Sequence, residues 1–549
     1  MKILINKTAS LILILAAGFY LSSCQPTDNQ HLDNSKDFTV HFRIKTKSSQ
    51  PTVLLSQKEF PDKSIKSQKN KGWVLYFSGG TFAWSVGSGD RRLNYERENG
   101  DKMPVNDGEW HQITMTYSKD LSEIRLYYDG LNKAIYKVGF DFSNDMPLQI
   151  GTEGQELNSG DEILPEILEG AAMLQDLVDE YNLISAIKLR HYEFLDLIVD
   201  PDELIEKNDP GHTDLSTLKD IRKELLKNPY TVYQIMELTL LKPISKIYYL
   251  DEEKVMINKT VAQGYTKQTR LFPADFKIKK LVVKERVMGP EEILEAYNKF
   301  GNTSPFPLQN NINSLNIGDW NIWHGGKHWN IEDDGWDSRM RIVEIIKEND
   351  IDVVLMQETY SSGDFIAAEL GYYFLAASDW DYCYQGSNIS VISRYPIKDA
   401  FVPFEASFMN AGAKLAISKT QEINVMSNWY GMSSFPLVFD YHKERFNNAD
   451  NIPVIFGGDF NAVPHTDGGK SPASIELLEN GFTDAYRSRH PDVEKYPGYS
   501  HNSGKRIDQL YYKGKGLKNL STEIISTWPG GFPSDHFLII SRFELKYPE

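Results

Sequence analysis

Cysteine is nearly absent from this chain: there are two in 549 residues, Cys24 and Cys383. Two thiols close at most one bridge, so a disulfide-stapled scaffold is excluded and any packed interior must come from apolar side chains. Those are plentiful. Hydrophobic residues make up 41% and aromatics 12%, which rules out a disordered chain. Positive charge is short as well, with 59 Lys and Arg against 76 Asp and Glu, a formal net charge of −17. Proteins that hold nucleic acid through its backbone lay basic stripes along the phosphates, and an acidic chain speaks against that mode. An anionic ester is still acceptable where a divalent cation reverses the local field. The apolar stretch Leu11–Leu21 is also too short to cross a bilayer, which takes about 20 residues. The length calls for two or three domains.

That short stretch reads as a targeting segment. Lys2 and Lys7 precede the apolar core, and Leu21-Ser22-Ser23-Cys24 closes it. The plain reading is an ordinary secretory signal cleaved nearby, while the closing tetrad resembles the lipobox of bacterial lipoproteins. The resemblance implies a signal peptide over residues 1–23 and a lipidated Cys24 that holds the protein to a membrane. The expected location is the bacterial cell envelope, periplasmic or surface-exposed. Residues 24–36 are polar and read as a tether.

From Asp37 to about Gly154 the pattern is β. Phe38–Ile44, Trp73–Phe77, Thr81–Val86 and Ile124–Tyr128 alternate apolar and polar residues, and turns such as Gly79-Gly80 and Asp129-Gly130 separate them. The stretch DGEWHQITMTYS (Asp107–Ser118), followed by IRLYYDG (Ile124–Gly130), resembles the laminin-G-like, concanavalin A-like jelly roll. Residues 160–240 are helical in pattern, and Phe276–Gly301 resembles the closing strand and helix of the same domain. The expectation is therefore an all-β sandwich over residues 37–302 with a helical insertion, then a linker at 303–312. Such sandwiches bind glycans or calcium at loop edges. A glycan ligand is one expectation here and a spacer without a ligand is the other. No acidic loop with metal-ligand spacing stands out, so no site is assigned to this half.

Residues 313–549 alternate strand-like runs with helices, as in two packed sheets covered by helices. Five short signals stand here in order: WNIW (Trp320–Trp323), MQE (Met356–Glu358), GDFN (Gly458–Asn461), RID (Arg506–Asp508) and SDH (Ser534–His536). Each ends or follows an apolar run and delivers a carboxylate, an amide or an imidazole, the groups that phosphoester hydrolysis with a metal requires. Singly each has a plain reading. A Glu after a strand is often a surface residue, a Gly-Asp pair is often a turn, and a His beside an Asp is often a solvated pair. Their order gives them weight as a set.

The set resembles the endonuclease/exonuclease/phosphatase superfamily, whose fold is that of deoxyribonuclease I, an α/β four-layer sandwich. The likeness extends to NIWHGG (Asn321–Gly326), GDFN-x-x-x-H-x-D (Gly458–Asp467) and GFTDAYR (Gly481–Arg487). It implies Glu358 and Asn321 as metal ligands, with Asp535 as ligand or orienter, for Mg²⁺ or Mn²⁺. It further implies Asp459 orienting or deprotonating the water, Asn461 on the phosphate, His536 on the phosphate or metal, and Asp508 as a metal or water partner. His324, His465 and Asp467 lie in matched motifs and are secondary candidates, while Arg506 reads as the partner of a carboxylate.

One departure stands out. Nucleases of this fold carry a His on a middle strand as general acid, whereas here the strand reads INVMSNWY, with Asn428 or Trp429 at that place. The expectation is a metal-dependent phosphodiesterase or phosphatase acting on a small, lipid-linked or glycan-linked phosphoester. A secreted nuclease and a non-catalytic glycan-binding lipoprotein are the alternatives.

Overall fold

A computed structural model describes residues 32–48, 53–59, 70–78, 80–89, 91–95, 103–150, 227, 276–299, 312–326, 334, 338–359, 362–377, 387–430 and 435–546. Cys24, Cys383 and, but for residue 227, the expected helical insertion at 160–240 lie outside them.

The N-terminal domain is β-rich. Its strands are β1 (Phe38–Lys45), β2 (Val53–Lys58), β3 (Gly72–Ser78), β4 (Thr81–Gly87), β5 (Arg92–Tyr95), β6 (His111–Ser118), β7 (Glu123–Tyr128), β8 (Leu131–Lys137), β9 (Gln149–Ile150) and β10 (Lys277–Lys284). Helix α1 (Pro290–Asn298) follows. Strands β5-β4-β3-β2-β9 form one sheet, and β10-β1-β6-β7-β8 begin another. Inward-facing Phe38, Phe42, Trp73, Trp84 and Ile113 fill the space between them. The Trp-His and Tyr-Asp-Gly motifs meet here. His111 sits between Asp107 (3.1 Å) and Asp129 (2.9 Å), which ties the start of β6 to the β7–β8 hairpin. Pairing of β10 with β1 shows that the segment from Phe276 closes this sheet.

The C-terminal domain contributes β11 (Ser314–Asn321), β12 (Val353–Gln357), β13 (Tyr373–Ala377), β14 (Ile389–Ser393), β15 (Ile397–Phe401), β16 (Asn410–Ala416), β17 (Glu422–Trp429), β18 (Val454–Asp459), β19 (Thr483–Asp484), β20 (Asp508–Lys513), β21 (Leu517–Ile525) and β22 (Leu538–Leu545). Helices α2 (Arg339–Glu348), α3 (Gly363–Leu370), α4 (Phe435–Asn447), α5 (Pro472–Glu479) and α6 (Ala485–Arg489) connect them. Two mixed sheets pack face to face, β15-β16-β17-β18-β20-β19 against the one holding β13-β14-β12-β11-β22-β21. Ile317, Leu355, Val391, Val425, Ile455 and Leu510 form the core between them. This is a deoxyribonuclease I-like fold.

The sequence pattern does not reveal that one sheet runs through both domains. Strand β8 pairs in parallel with β13, from Ala134 beside Phe374 to Lys137 beside Ala377, so eleven described strands form a single ladder. Tyr136 packs edge-on against Phe374 at 5.7 Å. The Lys133 ammonium donates to the Gly371 carbonyl (3.1 Å) and lies 4.6 Å over the Tyr373 ring. Arg125 donates to the Lys398 carbonyl across the same junction.

Candidate active site

Strands β11 and β12 run parallel, with Asn321 beside Gln357 at their ends, and Glu358 comes next. In the opposite sheet Asp459 ends β18 and faces Asp508, the first residue of β20. Asp535 and His536 lie just before β22. All these side chains meet at one end of the two-sheet stack, where strand ends leave room for polar groups.

Asn321 is the hub. Its buried amide donates to Glu358 Oε1 and Asp459 Oδ2, both at 3.1 Å, and lies 3.5 Å from His536 Nε2. Its main-chain carbonyl accepts from the Ser534 hydroxyl at 2.8 Å, and its side-chain Oδ1 accepts from the Trp323 backbone N–H at 2.9 Å. The His536 ring is held by Asp508, whose two oxygens lie 3.0 Å from Nδ1. That contact turns Nε2 toward Asp459, 3.9 Å away. Ser500 steadies Asp508 with a 2.7 Å hydrogen bond. Asn461 donates to Asp459 twice, from its backbone at 2.8 Å and its amide at 3.2 Å. The backbone of His324 donates to Glu358 Oε2 at 3.1 Å, so His324 does border the site.

The backbone here is strained. Trp323, His324, Glu358 and Asn461 all have φ near +50°, a left-handed conformation that non-glycine residues rarely adopt. Such outliers gather at functional sites, where surrounding structure over-determines them. Gly458 (φ 150°) solves a different problem. A Cβ there would lie 2.0 Å from the Asn428 carbonyl, so only glycine lets β18 pair this closely with β17.

The electrostatics follow from burial. Desolvation and then the charge of Asp508 push the Asp459 carboxyl up to about 7, against the pull of His536. Burial likewise raises Glu358, only partly offset by the Asn321 amide. For His536 burial opposes the charge, but Asp508, Asp459 and Asp535 outweigh it and lift the imidazole to about 10. Asp535 moves the other way. Its burial is outweighed by His501 and His536, and its pKa falls below the usual range.

The geometry reassigns two secondary candidates. Asp467 accepts from both Arg487 (2.7 and 2.8 Å) and Arg506 (2.7 and 3.0 Å), while Asp484 takes the rest of Arg506 at 2.8 Å. It is a strut under the RID segment, because carboxylate oxygens saturated by two guanidiniums are not available to a metal or substrate. His465 binds the Ser474 hydroxyl through Nδ1 (2.8 Å) and fastens the turn before α5. Arg506 pairs with carboxylates, as expected.

The middle strand is also resolved. Asn428 is fully buried and engaged by Asn410, the Tyr430 hydroxyl and the Gly457 carbonyl. Trp429 lies in register with Asp459 and packs edge-on against Phe408 at 5.3 Å. Alternation along β17 puts it on the face of Ser427, between the sheets. The place of the general-acid His is thus taken by an apolar wall.

Three residues escaped the motif reading: Ser500, His501 and Asp319. Asp319 is buried two residues before Asn321 on the same strand face, with Gln357 donating to it at 3.0 Å. Burial and the nearby Asp508 raise its pKa well above the usual range. The two-residue spacing was the available signal.

Residues 320–536 match the model described as the Endonuclease/Exonuclease/phosphatase family, whose members are phosphoester hydrolases. Residues 22–162 match the Concanavalin A-like lectin/glucanases superfamily. Similar solved structures include one titled an endonuclease/exonuclease/phosphatase from Bacteroides vulgatus, at 19% identity, covering 42% of this chain and 99% of that one, TM-score 0.34. The human Nocturnin catalytic domain with bound sulfate anion shares 16%, covering 42% and 95%, TM-score 0.34. An AP endonuclease from Archaeoglobus fulgidus shares 16%, covering 41% and 98%, TM-score 0.31. No curated protein matches the chain.

Proposed function

We propose that the C-terminal domain hydrolyses a phosphoester with a bound divalent cation, Mg²⁺ or Mn²⁺. The observation that carries this is a charge imbalance. Glu358, Asp459, Asp508 and Asp535 crowd one space, and their ion-pair partners among the described residues are histidines, with no Lys or Arg. Four carboxylates desolvated together, with His536 as the one imidazolium the geometry keeps charged, repel one another at a cost on the order of several kcal/mol. Oxygen donors of this kind suit hard divalent ions. Glu358, Asp535 and the Asn321 side-chain oxygen would hold the ion, and Asp459 and His536 would lie beside it. When bound, the cation would neutralise charge on the phosphoryl oxygens.

The chain's own groups supply the remainder. Asp459, with a pKa near neutrality and its two oxygens fixed by Asn321 and Asn461, is placed to orient a water and accept its proton. The amide of Asn461 and the Nε2–H of protonated His536 are donors for the non-bridging oxygens. Asp508 keeps that imidazole charged and correctly turned. Without a middle-strand imidazole, and beside the Trp429 wall, the site favours a small, lipid-linked or glycan-linked ester over long DNA. The net charge of −17 supports the same preference. We further place the protein at the cell envelope, anchored by a lipid on Cys24, with the N-terminal domain offered to a glycan.

The test is turnover with Mg²⁺ or Mn²⁺ on bis-p-nitrophenyl phosphate, sphingomyelin, inositol phospholipids and plasmid DNA, with Asp459→Ala as control. Turnover of a small or lipid ester that the control abolishes supports the reading. Plasmid nicking that the control abolishes overturns the preference for small substrates. No turnover, together with binding on a glycan array, would replace an enzyme by a binding protein.

A further inference from the structure

The segment ahead of β20 turns back on itself and carries His501 to the catalytic centre. An isolated antiparallel bridge joins His501 to His536, and their rings lie 4.5 Å apart at 61°. The Asn502 backbone N–H also donates to the Asp535 carbonyl at 2.9 Å. The turn is therefore fastened to the SDH segment by main-chain bonds, and the His501 side chain is only 20% exposed.

The ring is held in one tautomer. Nδ1 of His501 accepts the backbone N–H of Ser503 at 3.1 Å and sits 2.7 Å from its hydroxyl. A ring nitrogen that accepts an N–H carries no proton, so the neutral imidazole keeps its hydrogen on Nε2. That nitrogen faces Asp535 Oδ2 at 3.5 Å. The other oxygen, Oδ1, is buried and has no hydrogen-bond partner among the described residues. His501, Asp535 and His536 bring one ligand atom each within 4.8 Å of one another. An orphaned carboxylate oxygen next to an imidazole is what a cation ligand looks like before the cation is counted.

We infer that His501 is a positioning residue of this centre: its Nε2 edge, 3.5 Å from Asp535 Oδ2, draws that oxygen toward itself so that Oδ1 is presented to the divalent cation. The role is indirect. A metal on Nε2 would require the proton to move to Nδ1, where the Ser503 N–H already points. Metal-ligating carboxylates are commonly held by outer partners, and removing such a partner costs about 10- to 100-fold in metal affinity or activity. The inference rests on the metal-dependent reading above and adds to it the residue that aligns one ligand.

The test uses the full chain. Mn²⁺ alone is titrated calorimetrically, and hydrolysis of bis-p-nitrophenyl phosphate is followed against Mn²⁺ concentration. His501→Leu should weaken Mn²⁺ binding about 10- to 100-fold, with kcat at saturating Mn²⁺ largely kept and an unchanged melting temperature. His501→Gln, which places an amide N–H where Nε2 stood, should recover most of the affinity. Ser503→Ala keeps the backbone donor and should behave as the parent. Unchanged affinity in His501→Leu overturns the inference. So does equal weakening in His501→Gln and Ser503→Ala, which would make the imidazole a direct ligand. Expected affinities with no hydrolysis by any form would sink the hydrolase reading and leave the positioning role standing. Hydrolysis with indifferent His501 variants would do the reverse.

Discussion

Replacing Asp467 by Asn should damage the fold while sparing the proposed cation site. The Asp467 side chain is 5% exposed and accepts four guanidinium N–H bonds, two from Arg487 and two from Arg506, plus one from the Thr466 hydroxyl. With Asp484 the cluster is neutral, two cations facing two anions. Asn keeps the shape but removes one negative charge and turns an NH₂ toward buried donors. Removing one partner of a buried ion pair costs about 3–5 kcal/mol. For a domain of this size each kcal/mol lowers the melting temperature by about 2–4 °C, so the fall should be about 6–20 °C. Calorimetric melting of the full chain reads this directly, with Mn²⁺ titration below the transition as the second readout. The pH dependence has a definite sign. Burial opposes ionisation of Asp467, but Arg487 and Arg506 outweigh it and hold its pKa well below the unfolded value of 3.8. A depressed folded-state pKa means the stabilisation is complete above 3.8 and fades as pH falls below it. Asp467→Asn should lose that acid-side dependence. A variant that melts within a degree of the parent yet no longer binds Mn²⁺ would refute the strut and return Asp467 to the site.

Added Mn²⁺ or Mg²⁺ should raise the melting temperature and chelator should lower it, because the cation relieves repulsion among Glu358, Asp459, Asp508 and Asp535. At a hundredfold excess over Kd the gain is about 2.7 kcal/mol, and a melting curve indifferent to both would remove the metal from the account. Asn461→Ala deletes one donor to the phosphoryl group and should lower kcat about 10²- to 10³-fold; a change confined to KM would make it a binding residue only. Asn428→His should not create a nuclease. The larger ring must displace the bonds to Asn410, Tyr430 and Gly457, so a loss of about 1–3 kcal/mol in urea unfolding is expected, and gain of plasmid nicking would contradict the packing. The full chain should melt with coupled domains, since β8 and β13 share a ladder, and two widely separated calorimetric transitions would argue against that junction.

The motifs were legible because each sits where an apolar strand runs out into polar chemistry, a change of pattern that a sequence displays directly. Asn321, Glu358, Asp459, Asn461, Asp508 and His536 come together as their order implied. What hid was of two kinds. Strand β16 reads Asn-Ala-Gly-Ala-Lys-Leu-Ala, poor in β-branched residues, and Phe401 and Met426 pack close over its Gly412. Asp467 and His465 looked like site residues because sequence adjacency to GDFN says nothing about which way a turn carries them. His501 escaped for the converse reason, since a His in a polar turn has no pattern around it and gains meaning only from Ser503 and Asp535. The pairing of β8 with β13 is carried by main-chain groups that every residue possesses, so no side-chain code announces it.

That ladder has a consequence for how the two halves can exist apart. An open strand edge is a row of unsatisfied donors and acceptors, and other chains readily add to it. In this molecule β8 closes the edge of β13 and β13 closes the edge of β8, with Tyr136 and Phe374 sealing the seam. Each half therefore serves as the other's guard against self-association. Cutting the chain between them would, in solution, leave two adhesive seams looking for a substitute neighbour.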